Sequence, residues 1–167
     1  SINNFREDEL LAKYKDINFF DHQGTHFAPH LVSKKMWNKV GGFSEEFNPG
    51  IGSDPDFNMK LWKAGVRIFK GLGKSLVYHF GSITTRRKDK KFFTYLGSKG
   101  NRIFLKKWGI SINFFEKHYL KSGIKKKSKI FNYYDGPLNS PNKNINYYFD
   151  LFKKKIYLIY IIAIKFK

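Results

Sequence analysis

The sequence predicts an α/β domain. Two observations carry that reading: a series of amphipathic stretches, several of them opened by a capping residue or closed by a glycine, and two short apolar runs set around a Gly71–Gly73 turn. Composition adds that such a domain can close a core. At 167 residues, 41% hydrophobic and 19% aromatic, the chain has the length of one ordinary domain and too many aromatics for a disordered one.

Taken in order, Glu7 to Lys15 reads as a short helix, with acids at its start and a lysine at its end as the helix dipole prefers. Thr25 to Val32 is apolar and partly extended, but Pro29 forbids a regular central strand. Ser33 caps a helix over Lys34 to Val40, and Gly41 stops it. A Gly-rich loop follows to Ser53. Asp54 and Pro55 then read as an N-cap and first helical residue, with Phe57, Leu61 and Ala64 on one face and Gly65 as the stop. Val66 to Phe69 and Ser75 to Phe80 are the two expected strands. Asp89 to Trp108 is helical by pattern, although Gly97 and Gly100 interrupt it. Ser111 caps a further helix expected to end at Gly123. Beyond it the texture changes: a lysine run at 125–127, an irregular Asn-, Pro- and Gly-rich stretch from Asn132 to Asn146, and an apolar end from Phe149 to Lys167. The domain edge is therefore placed near 123, with residues 124–167 as a basic, aromatic-rich linker and tail.

Charge narrows the function classes. The net charge is +19, from 32 basic and 13 acidic residues, which draws attention to polyanions. Residues 1–90 carry a net +5 and residues 91–167 a net +14. Of the basic residues 27 are Lys and 5 are Arg, whereas base-edge readout favours the Arg fork, so no specific nucleic-acid partner is expected. The abundance of Lys, Asn, Ile, Phe and Tyr together is also the signature of an AT-rich coding sequence. No cysteine is present, which excludes disulfide scaffolds, thiolate metal sites and cysteine nucleophiles. The start is polar and acidic, unlike a secretory signal. The longest apolar run, Ile156 to Ile164, is nine residues, and a spanning helix needs roughly twenty. Flanked by lysine clusters, the Phe149–Lys167 segment fits contact with anionic lipid or the last element of a core.

A few residues carry possible chemistry. Asp54 and Asp56 put two carboxylates at the mouth of a helix. They read as a cap and a dipole partner, or as a base or metal ligand whose direction the junction fixes. His79, at a strand end before Gly81, reads as a structural residue, a metal ligand or an acid/base group. His22, His26 and His30 are spaced four apart, but Gly24 and Pro29 break any helix that would make them a metal stripe. No phosphate-cradling Gly loop is present.

Several pieces together resemble a known family. They are Val40-Gly41-Gly42-Phe43-Ser44-Glu45-Glu46-Phe47, Gly52-Ser53-Asp54-Pro55-Asp56-Phe57, Ala64-Gly65-Val66-Arg67, Val77-Tyr78-His79, and Asn101 to Gly109. In this order, over about residues 25–110, they resemble the C-terminal half of family 2 glycosyltransferases, which have the GT-A (Rossmann-like) fold. The resemblance implies inverting transfer of a sugar from a nucleotide-sugar to a hydroxyl acceptor, on a glycan, a lipid-linked glycan or a protein, with Mg2+ or Mn2+. It assigns Asp54 as the general base and His79 to the metal on the leaving diphosphate. It places Gly41, Gly42 and Phe43 on the acceptor side, with Asp56 as the second acid of the motif. Arg86, Arg87 and Lys88 follow at a distance where a mobile basic loop would meet the diphosphate, by position and not by motif match.

Two departures stand out. Ser53 occupies the place of the family's Glu, and only about 40 residues precede Gly41, where the family carries its nucleotide-binding half. The expectation is therefore a partial GT-A domain, residues 1–123, inactive or nearly so alone. Its expected place is the cytoplasm, peripheral on the inner face of the membrane. The competing readings are a basic binding module for nucleic acid or an anionic membrane surface, and a structural remnant without activity.

Overall fold

The computed structural model describes residues 4–16, 20–24, 28–75, 77–78, 90–122 and 132–164. Helix α1 spans Glu7–Lys13 and runs into a 3-10 turn at Tyr14–Asp16. Helix α2 spans Lys34–Val40. Both of its ends follow from local chemistry. The Ser33 hydroxyl accepts from the Met36 amide at 3.2 Å, and Gly41 closes the helix with φ +72°, a conformation that glycine adopts without steric cost.

Helix α3 is Ser53–Lys63. It begins two residues earlier than expected: Gly52, at φ +96°, occupies the cap position in place of Asp54. Pro55 is thus the third helical residue, not the first. The reason is tertiary. Gly52 lies against the Phe47 ring and the backbone of Gly100, and a Cβ there would come within 3.0 Å of Phe47.

Helix α4 spans Lys90–Trp108 without a break. Its Gly100 is a contact point, because a Cβ at that position would lie 2.1 Å from the Ile51 carbonyl oxygen. Helix α5, Ile112–Phe115, is capped by Ser111 and continues as a π-helical turn to Leu120. It closes at Lys121, whose φ is +52°. Helix α6 spans Ile145–Ile164. It starts before the expected Phe149 because the Asn144 side chain accepts from the Tyr147 amide at 3.0 Å.

Among the described residues the strands are two short pieces, β1 (His22–Gln23) and β2 (Lys70–Gly71), paired antiparallel. Val66–Phe69, expected as a strand, precedes β2 and is not part of it. Of the second expected strand, Ser75, Val77 and Tyr78 carry no strand structure, and the rest lies outside the described residues. The segment from Asn132 borders the other side of β1. The backbone N–H of Gln23 donates to the Asn132 carbonyl at 2.9 Å, that of Tyr134 to the Asp21 carbonyl at 2.9 Å, and that of Leu138 to the Arg67 carbonyl at 2.8 Å.

One core joins these parts. Phe57, Leu61 and Trp62 of α3, Phe104 of α4 and Phe115 after it are all buried in one cluster. Leu138 and Tyr147, from beyond the boundary expected at 123, belong to the same cluster. No helix among the described residues is long and apolar enough to cross a membrane.

Candidate functional site

The loop between α2 and α3 builds the site. Gly42 packs so closely on the Trp37 ring that a Cβ would lie 2.6 Å from it. The loop is fastened to α3 by two side chains: Lys60 donates to the Gly42 carbonyl at 2.9 Å, and Ser44 donates to Asp56 Oδ2 at 2.7 Å. Phe43, half exposed, meets Phe57 at a ring separation of 5.0 Å and Trp37 at 5.4 Å.

Asp54 and Asp56 are two residues apart and live in different surroundings. Asp56 is fully buried. Trp108 Nε1 donates to its Oδ1 at 2.8 Å, and Lys107 Nζ lies 3.0 Å from the same oxygen. Lys107 also reaches Glu46 at 2.6 Å and Ser44 at 2.9 Å. Burial works against the Lys107 ammonium, but its bonds to Glu46 and Asp56 outweigh burial and hold its pKa above the ordinary lysine value. With both oxygens held by protein groups and no surface, Asp56 ties the loop, α3 and the end of α4 together. Any influence on a substrate passes through that tie.

Asp54 instead sits at the rim, its side chain one-third exposed, with His30 Nδ1 4.0 Å from its Oδ1. His30, outside any helical histidine stripe because of Pro29, joins the site through this contact. Its ring meets Phe57 edge-on at 5.4 Å and Phe43 at 5.9 Å, and its Nε2 lies 3.4 Å from Asn58 Nδ2. The signal available in the sequence was weak: a histidine beside a proline, twenty-four residues before the carboxylate it faces. The structure therefore brings together Asp54, His30, Phe43 and the Gly41–Gly42 turn. His79, Arg86, Arg87, Lys88 and His26 lie outside the described residues. His22 belongs to β1 and pairs with Gly71 of β2.

Such a site combines a fixed, partly exposed carboxylate with an aromatic wall, a geometry suited to taking a proton from a bound hydroxyl. Among the described residues no group of three or more His, Cys, Asp or Glu side chains is placed to hold a metal ion, so they do not by themselves make a metal centre. A cleft of about 350 Å³ lies elsewhere, lined by Ser98, Asn101, Arg102 and Ser111 among others, and contains none of the candidate residues. No protein-family model, curated protein or solved structure matches the chain.

Proposed function

We propose that the chain is the acceptor-side portion of an inverting, family 2-like glycosyltransferase with a GT-A fold. The observation that carries the reading is the ordered motif set from Gly41 to Gly109. It is supported by Asp54 standing at a loop–helix junction, partly exposed beside His30, whose ring meets Phe43 of the Gly41–Phe43 loop.

In this reading the acceptor hydroxyl binds against the Phe43 wall. Asp54 takes its proton as the oxygen attacks the anomeric carbon of the sugar and the bond to the nucleotide diphosphate breaks. The buried knot around Asp56 keeps the junction still, and so fixes the direction of the Asp54 carboxylate. The nucleotide-sugar is held mostly by a nucleotide-binding half outside this chain. Mg2+ or Mn2+, with His79, enters from the resemblance alone. It would offset charge on the leaving diphosphate. A cytoplasmic setting, where nucleotide-sugars are made, goes with the same reading.

The test is sugar transfer by the chain extended upstream of Ser1 through its gene, with and without Asp54→Asn. The substitution is expected to lower turnover by about 100- to 10,000-fold, the range for loss of a general base, and to leave the fold intact. An upstream sequence with no βαβ unit and no D-x-D would overturn the reading, as would an Asp54→Asn enzyme as active as the wild type.

A further inference from the structure

Helix α6 presents an apolar face that the fold does not use. Its inner side is attached to the body: Tyr147 is buried, Leu151 packs on the core, and Asp150 bonds Lys117 and His118. On the outer side, Ile145, Tyr148, Phe149, Phe152, Ile156 and Ile159 are each between 52 and 80% exposed. Their spacing puts all six within a stripe roughly 100° wide. At 1.5 Å per residue the stripe is roughly 20 Å long.

Charge indicates what covers it. Lys153 and Lys155 fall on opposite flanks of the stripe, at about 80° to either side of its Ile145 line by helical rotation, and both are exposed. The Lys153 ammonium rests over the Phe149 ring, 4.1 Å from its centre, so its charge stays at the edge of the apolar face. Residues 91–167 hold 17 basic and 3 acidic groups, and Asp150, the acid on α6, is turned inward to Lys117 and His118. A second copy of the chain would bring the same positive charge to the contact. A lipid surface of negative charge suits both parts: acyl chains for the stripe and phosphate headgroups for the flanking lysines. We infer that α6 lies in the plane of an anionic membrane, its Ile145–Ile159 stripe sunk at the headgroup boundary. This rests on the exposed face and its charge, independently of the glycosyl-transfer reading.

The experiment is co-sedimentation of the chain with vesicles of equal parts phosphatidylcholine and phosphatidylglycerol, and with vesicles of phosphatidylcholine alone. Binding is expected to the first and to be far weaker to the second. Phe152→Ser and Ile156→Ser should each weaken it by about tenfold. Lys153→Gln with Lys155→Gln, which leaves the stripe intact, should weaken it by about fivefold per lysine on the anionic vesicles only. All four positions are exposed, and circular dichroism with thermal unfolding checks that each variant folds as the wild type does. Failure of the wild type to bind anionic vesicles overturns the inference. So does binding that the stripe variants leave unchanged, or a dimer by light scattering that they dissolve while vesicle binding persists.

Discussion

Helix α3 and helix α6 differ in how completely the molecule covers them. In α3, seven of eleven residues are buried, Asp56 and Asn58 among them. In α6, a longer and visibly more apolar helix, Tyr147 is buried while Phe149, Phe152, Ile156 and Ile159 stand in solvent. Composition alone ranks the two the wrong way round. The difference lies in polar closure. Around α3, donors from distant segments converge on the one charge it buries, so the neighbouring apolar surfaces close without leaving that charge unpaired. Around α6, the body supplies partners for the first two turns and, among the described residues, nothing comparable for the opposite side.

The contrast is broken most directly at Asp56. Replacing Asp56 by Ala strips an acceptor from Trp108 and Ser44 and removes one of the two carboxylates that hold Lys107. Breaking a buried, hydrogen-bonded charge pair in this way costs about 3 kcal/mol, read as a lower midpoint in urea unfolding. Asp54→Ala, two residues away at the rim, is expected to cost less than about 1 kcal/mol. Equal, small losses for the two variants would mean that apolar packing alone holds the junction.

This junction also shows what a sequence makes legible. Ser33 and Gly41 were readable as the ends of α2 because a cap is a bargain between residues three or four apart. The start of α3 lies two residues before its expected place because Gly52 answers to Phe47 and Gly100, the latter forty-eight positions on. The same limit hid the role of Asp56, whose partner Trp108 is fifty-two residues away, and left His30 out of the site. It also explains the strands. Val66–Phe69 has the right residue types, but the short ladder forms at Lys70–Gly71, where β1 offers partners. The apolar character of the last segment was plain in the sequence. Which of its faces stays open depends on the packing of Tyr147 and Leu151 against elements from elsewhere in the chain.

A second test uses the two glycines of α4. In an ordinary helix interior, Gly→Ala stabilises by up to about 1 kcal/mol. Gly97 has open space around its Cβ position, and Gly97→Ala should show that gain. At Gly100 the new methyl would meet the Ile51 carbonyl at 2.1 Å, so the loop leading into α3 has to move. A loss of about 2 kcal/mol is expected, within the range for overpacking. The opposite signs, measured by thermal unfolding, separate helix propensity from the close crossing that seats the candidate site. A stabilising Gly100→Ala would show that the loop is free to give, and that the α3 junction is no more tightly closed than α6.

The smallest expected effect is at the attachment of α6. Asp150 sits 2.6 Å from Lys117 Nζ and 2.9 Å from His118 Nε2. Lys117 first and His118 second hold its carboxyl below the ordinary value of 3.8. A carboxyl whose pKa is depressed on folding contributes stability that is present above its unfolded value and lost as pH falls through the folded one. Near neutrality, then, Asp150→Asn should lower the melting temperature slightly, the pair being solvent-exposed on the lysine side and worth less than about 1 kcal/mol. As pH falls from 3.8 through the lower folded value, the wild type protonates the same group, so the difference shrinks over that window and the two melting temperatures should converge below the folded value. The Asp56→Ala deficit is much larger, so the Asp150→Asn deficit should be the smaller of the two at neutral pH. A deficit at Asp150 as large as that at Asp56, or one that persists unchanged in acid, would mean that the Asp150 contacts with Lys117 and His118 are worth more than an exposed ion pair.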